Sequence, residues 1–295
     1  MNTRISAVAV ALCAALAGNA AHAALTINEL GSGAVTAQTL VSSLLAANSG
    51  MTVSNVQFVG TNFQGGQFSG GASAGLGFDS GVVLSSGRVS DLPLTPGQFG
   101  AETLFGTAGD PLLSSLVGSL TGDAAVLKFD FVPNASRIQM SYVFGSSEYN
   151  TFVASQFNDT FATFVNGTNV ALIPGTTSIV QVHMLNCGVG DNVAPGIGPN
   201  CDQFIDNRNA DGTVGKNRDI NLGGFSKTFS LTADVNANAT NTMYIVIGDV
   251  RDTRQDSAAF LASGSLMAVP EPGALQFLGI AAAMLVIGSR RRLRA

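Results

Sequence analysis

The chain has no tryptophan, three tyrosines, three cysteines and two histidines among its 295 residues. Each shortage excludes something. Cys13 and His22 fall in an N-terminal segment that reads as a leader, so His183, Cys187 and Cys201 are the ones left in the mature protein. A three-histidine zinc site is impossible, and no Cys-x-x-Cys spacing or third ligand accompanies the two thiols, which argues against thiolate zinc. Without tryptophan, platforms that stack on sugar rings would have to be Phe or Tyr. Charged residues make up only 11 %, and lysine is reduced to Lys128, Lys216 and Lys227. Residues 24–272 hold nine basic residues against 19 acids, a net charge of −10. Such a surface lacks the cations that release counterions from phosphates, so no nucleic-acid partner is expected. What is abundant is glycine, 35 residues, which favours turns and short strands over helices.

Both ends look like processing signals. Residues 1–23 place Arg4 ahead of an apolar run from Ala7 to Ala17 and finish in Ala21-His22-Ala23, the small-x-small pattern that signal peptidase accepts. Cleavage after Ala23 is predicted. Residues 269–295 run from Pro270-Glu271-Pro272 through 17 uncharged residues to Arg290, Arg291, Arg292 and Arg294. That span reaches the lower limit for crossing a bilayer, and the arginines would stay cytoplasmic, so a transient stop in the inner membrane is expected. Motif, transmembrane segment and basic cluster in this order resemble the PEP-CTERM sorting signal of Gram-negative bacteria. That resemblance implies an exosortase that cuts near Pro-Glu-Pro and delivers the protein to the envelope or the exopolysaccharide.

Between these ends, residues 24–268 form one domain-sized stretch. Thr36–Ala46 carries Leu40, Val41, Leu44 and Leu45 at helical spacing and is the predicted helix. Most of the rest alternates. Leu127, Phe129 and Phe131 share one face against Lys128 and Asp130, and Ile138, Met140, Tyr142 and Phe144 share another. Asn166-Gly167 between two apolar runs predicts a two-residue hairpin, because both turn positions need positive φ. Further strands are expected at Val53–Val59, Val82–Ser85, Ile179–Leu185, Phe225–Leu231, Met243–Gly248 and Ala259–Met267. Ten or so short strands with one short N-terminal helix predict an all-β, jelly-roll-like β-sandwich. From Leu185 to Gly223 the alternation stops; a loop that long is usually functional or stapled. Cys187 and Cys201 lie in it and should form a disulfide in an oxidising compartment.

The segments FDSGVVLSSGRVSD, DAAVLKFDFVP, YVFGSSEYN, FNDTFATFVNGTNVALIPG and DVRDTRQDSAAFLASGSL, in that order, resemble the choice-of-anchor L domain. The resemblance implies display at a bacterial cell surface and supplies no activity. Where that family has an acidic pair before the tyrosine, this chain has Ser147-Glu148, and Thr151 stands where another acid often follows.

Candidate chemistry lies in acids at strand ends: Glu148, Asp159, Asp249, Asp252 and Asp256. If these ends meet, like charges would need protons or a cation, and Ca²⁺ takes six to eight oxygens. Calcium is therefore the cofactor to test, against the commoner arrangement in which each acid caps a turn. Asn207–Gly212 copies the first half of an EF-hand loop, but position twelve is Arg218, so a turn-rich loop is the better reading. Gly71-Ala72-Ser73-Ala74-Gly75 matches a nucleophile elbow without its strand-turn-helix context. His183 reads as an ordinary half-exposed strand residue. The expectation is a non-enzymatic structural or adhesive module of the cell surface or biofilm matrix, touching extracellular polysaccharide. The alternative is a carbohydrate-active hydrolase using Glu148 and a partner aspartate.

Overall fold

A computed structural model describes residues 24–270, apart from 189 and 191–193. Residues 1–23, expected to be a leader, and residues 271–295, with Glu271, Pro272, Arg290, Arg291, Arg292 and Arg294, lie outside the described residues. Among the described residues no helix is long and apolar enough to cross a membrane.

Strands dominate, in chain order β1 (Thr26–Glu29), β2 (Met51–Val59), β3 (Gly65–Ser69), β4 (Gly81–Ser85), β5 (Thr121–Pro133), β6 (Arg137–Ser146), β7 (Thr160–Val165) and β8 (Thr168–Asn169). After these come β9 (Val180–Gln181), β10 (Phe204–Asp206), β11 (Gly224–Ser226), β12 (Phe229–Asp234), β13 (Asn241–Val250), β14 (Ser257–Ala262) and β15 (Met267–Ala268). They form two antiparallel sheets. The first runs β1-β3-β4-β14-β6-β11-β10, with β12 and β15 also on β6; the second runs β2-β5-β13-β7-β8, with β9 on β7. The expected sandwich is what the chain folds into.

Alternation places the core. From the first sheet Val82, Leu84, Met140, Tyr142, Phe144 and Leu261 turn inward, and from the second Leu127, Phe129, Phe131, Phe161, Ile245 and Ile247 meet them. Each large apolar side chain fully buried there contributes roughly 1.5–3 kcal/mol. Helix α1 (Ala37–Leu44) closes the core with Leu40, Val41 and Leu44; Thr36 caps it through a hydrogen bond from Thr39 N. The two-residue hairpin forms as predicted: Val165 pairs with Thr168, and Asn166 and Gly167 both have positive φ.

Both outer faces also gain cover. Loops carrying Leu76, Leu92, Ile220 and Leu222 pack on Val83, Val143, Phe225 and Phe260 of the first sheet. A second short helix, α2 (Pro111–Val117), adds to the single one expected and sets Leu113 on Val126, Ala162 and Val246 of the second sheet. Three expected strands are shorter or divided, among them Ala259–Met267, which is interrupted after Ala262 and resumes only at Met267. Ile179–Leu185 is a strand only at β9 and then tightens into a 3₁₀ turn, Val182–Met184, so His183 sits in a turn with its backbone N–H on Asn158 Oδ1. The stretch from Phe225 to Leu231 is divided at Lys227-Thr228 into β11 and β12. The long loop is stapled by the Cys187–Cys201 disulfide.

Candidate functional site

Side-chain parity explains where the acids go. The core-facing series Tyr142, Phe144, Ser146 along β6 extends to Glu148; Phe161 of β7 extends back to Asp159; Ile245 and Ile247 of β13 extend to Asp249. Three carboxyl groups therefore occupy the row just beyond the last apolar layer, at one end of the space between the sheets. Glu148 is 1 % exposed, and Asp159 and Asp249 are wholly buried. Asp252, half-buried in the following turn, adds its charge to Glu148 and Asp159. Asp256, just before β14, has the opposite parity and faces the outer loops, so four of the expected five turn inward and the fifth outward, although its charge still reaches Asp249.

Each carboxyl has specific surroundings. Asp159 N donates to Glu148 Oε2 at 3.0 Å. Val250 N donates to Asp159 Oδ1 at 3.2 Å and Ser257 Oγ to Asp159 Oδ2 at 2.7 Å. Thr103 gives its N–H and hydroxyl to the two oxygens of Asp256, at 2.8 and 2.9 Å. Asp249 differs: neither oxygen has a hydrogen bond of ordinary geometry, although the Ser86 hydroxyl and the Asp159 carboxyl lie beside it. One oxygen of Asp252 is likewise buried without a partner.

Burial raises the proton affinity of the whole group. It pushes Glu148 and Asp249 well above the usual carboxyl range, with the neighbouring Asp159 charge adding to both. Asp159 is raised by the same loss of solvent, opposed by its bonds from Ser257 and Val250. Burial lifts Asp256 to about 7 against the Thr103 hydrogen bonds. Buried carboxyls of this kind hold protons near neutrality or hold a cation. Among the described residues, no three His, Cys, Asp or Glu side chains stand in a grouping that could hold a metal ion.

The remaining sequence candidates have structural partners. Asn207 is buried and its amide bonds the carbonyls of Arg218, Ile220 and Leu222, so the EF-hand-like stretch is organised as a loop clamp. Exposed Asp211 caps Thr213. Ser73 lies in a turn with no helix after it. Asp123, wholly buried and charge-coupled to Asp249 and Asp256, is a member that the sequence reading missed. It accepts from Gly106 N, Thr107 N and Thr107 Oγ1. Its signal was faint: it stands in a strand, at φ 43°, opposite the irregularity between Ile247 and Asp249.

A second feature escaped the sequence reading, a groove of about 480 Å³ on the outer face of the second sheet beside α2. Its lining includes Gln57, Leu112, Lys128, Phe164, Thr242 and Tyr244.

These features define a two-sheet all-β domain whose candidate acids are turned into its interior. The sequence pattern of the Choice-of-anchor L domain matches residues 26–267, and the chain belongs to that family. Membership marks it as a cell-surface or exported protein. Neither a curated protein nor a solved structure matches it.

Proposed function

We propose that the chain is a non-catalytic structural or adhesive module, carried out by signal peptidase and exosortase processing and held at the envelope or in the polysaccharide matrix. The observation that carries this reading is the inward direction of its acids. Glycoside hydrolysis needs two carboxyl groups facing a substrate, about 5–9.5 Å apart. Glu148 instead accepts from the Asp159 backbone N–H, and the Asp159 carboxyl from Val250 N and Ser257 Oγ, inside the sandwich, where no sugar reaches them. They act as ties between the ends of β6, β7, β13 and β14. The hydrolase alternative finds no support in this geometry.

Calcium is a second reading, favoured by one feature, the buried oxygens of Asp249, which make no hydrogen bond of ordinary geometry. The experiment follows the thermal midpoint of the exported protein in EDTA and across a calcium titration, with turnover of matrix glycans measured in parallel. A ligand held only by the native state raises the midpoint. A rise that Asp249→Asn abolishes establishes the cation; an unchanged midpoint leaves the carboxyls as protonated ties. Turnover lost on Glu148→Gln would overturn the non-catalytic reading.

A further inference from the structure

The outer face of the second sheet is half covered. Over Val126, Ala162 and Val246 lies α2; in the next row outward Phe164 is still buried with that cluster, whereas Tyr244 and Lys128 are half-buried and Gln57 is exposed. Strand register sets that row: Gln57 pairs with Lys128, Lys128 with Tyr244, and Tyr244 with Phe164, so four side chains cross four strands on one face. Asp130 and Thr242, paired with each other, form the row behind. Leu112 of α2, 43 % exposed, makes one wall.

The chemistry of this row is selective. The Tyr244 and Phe164 rings meet edge to face with centroids 6.3 Å apart, so the buried Phe164 backs the half-exposed Tyr244 ring, a small apolar floor. The Tyr244 hydroxyl is held by Asp110 Oδ2, which fixes the ring. Asp130 is occupied by Asn55 Nδ2. The Lys128 ammonium, in contrast, has no hydrogen-bond or ion-pair partner among the described residues, and neither does the Gln57 amide. A free cation beside a ring floor, on a chain whose residues 24–272 carry −10, marks a place where one negative charge is welcome within a surface that otherwise repels it. A pyranose ring with a carboxylate supplies both halves: a C–H face for the floor and an anion for Lys128. The volume falls within the range of small-ligand sites, about 300–1,000 Å³. An added peptide strand does not fit this place, since the row lies across the middle of a sheet and not along an edge.

We infer that this groove binds a uronate-bearing polysaccharide, with Lys128 pairing the carboxylate, Tyr244 under the sugar ring with Phe164 behind it, and Gln57 and Thr242 bonding its hydroxyls. The inference rests on the adhesive reading above and gives it a ligand class. The test is isothermal titration of the exported protein with an oligogalacturonate and with its carboxyl-reduced, neutral counterpart. Lys128→Gln and Gln57→Ala are the variants, since both side chains stand clear of the core, and each is checked for an unchanged thermal midpoint. Saturable binding of the acidic oligosaccharide is expected, about tenfold weaker in Lys128→Gln and at high salt, with the neutral sugar bound no better than by that variant. Equal affinity for both sugars, no binding, or a Lys128→Gln variant that binds as well as the parent would overturn it. Surface labelling of intact cells separates the two readings: a displayed protein that fails to bind loses the groove alone, and an undisplayed one loses the module.

Discussion

Asn207 shows how one side chain can organise a loop that contains almost no regular structure. Its Nδ2 reaches three carbonyls, those of Arg218, Ile220 and Leu222, at 3.1, 3.0 and 2.9 Å. Its Oδ1 accepts from the backbone N–H groups of Asn217 and Arg218, at 2.9 and 2.7 Å. Apart from the part-buried bond from Asn217 these are buried, and a buried polar group left without a partner costs about 1–3 kcal/mol. Asn207→Ala should therefore destabilise the fold by about 3 kcal/mol or more in urea denaturation. Asn207→Asp should be nearly as damaging, because a carboxylate would face three carbonyl oxygens. Asn209→Ala, on the exposed side of the same loop, should stay within about 0.5 kcal/mol. A calcium loop would show the opposite order at position 207, where an acid strengthens the site.

At the scale of elements, α2 is a seven-residue helix that depends on its ends. Asp110 Oδ1 accepts from Leu113 N at 2.9 Å, Pro111 fills the first turn where no N–H is needed, and Gly118 ends the helix at φ 66°. Asp110→Ala should cost about 1–2 kcal/mol and free the Tyr244 ring, whereas Asp110→Asn should keep the cap and most of the stability. Chemical denaturation measures the first effect, and the width of the Tyr244 ring resonances the second. These end signals stand in the sequence, but seven residues carry too little periodicity to outweigh a β-rich context. Longer elements were legible: the hairpin at Asn166-Gly167, the capped helix after Thr36 and the strands β5, β6 and β13 all follow from local turn chemistry and alternation. Alternation also contained most of the carboxyl group, since Glu148, Asp159 and Asp249 continue core-facing series and Asp256 does not. Asp123 did not follow, because an irregularity in pairing changes which face a residue meets. The groove was illegible for another reason: Gln57, Lys128, Tyr244 and Phe164 lie on four strands distant in sequence, and only the register brings them into a row.

Across the whole molecule, the buried carboxyls reverse the usual response to acid. Most proteins lose stability as pH falls, because paired carboxylates must be protonated. Here burial raises Glu148, Asp159 and Asp249 and lifts Asp256 to about 7, so the folded chain keeps protons that the unfolded chain releases near pH 4. Asp206 and Asp211 are shifted down and oppose this at the acid end, but the raised carboxyls outnumber them, so stability is expected to fall as pH rises from about 4 through 7 and beyond. The thermal midpoint in EDTA should accordingly be higher at pH 5 than at pH 8. Relief of repulsion among exposed acids acts in the same direction, so the contribution of the interior has to be isolated. Asp249→Asn removes one buried titration and should flatten the slope, while Asp234→Asn, at an exposed strand end, should leave it nearly unchanged. A cation bound in the interior would lift the midpoint at pH 8 and bring the two values together. A midpoint higher at pH 8 than at pH 5 in EDTA would mean that the carboxyls are charged in the fold, and the ties that join its strand ends would then have to be ionic.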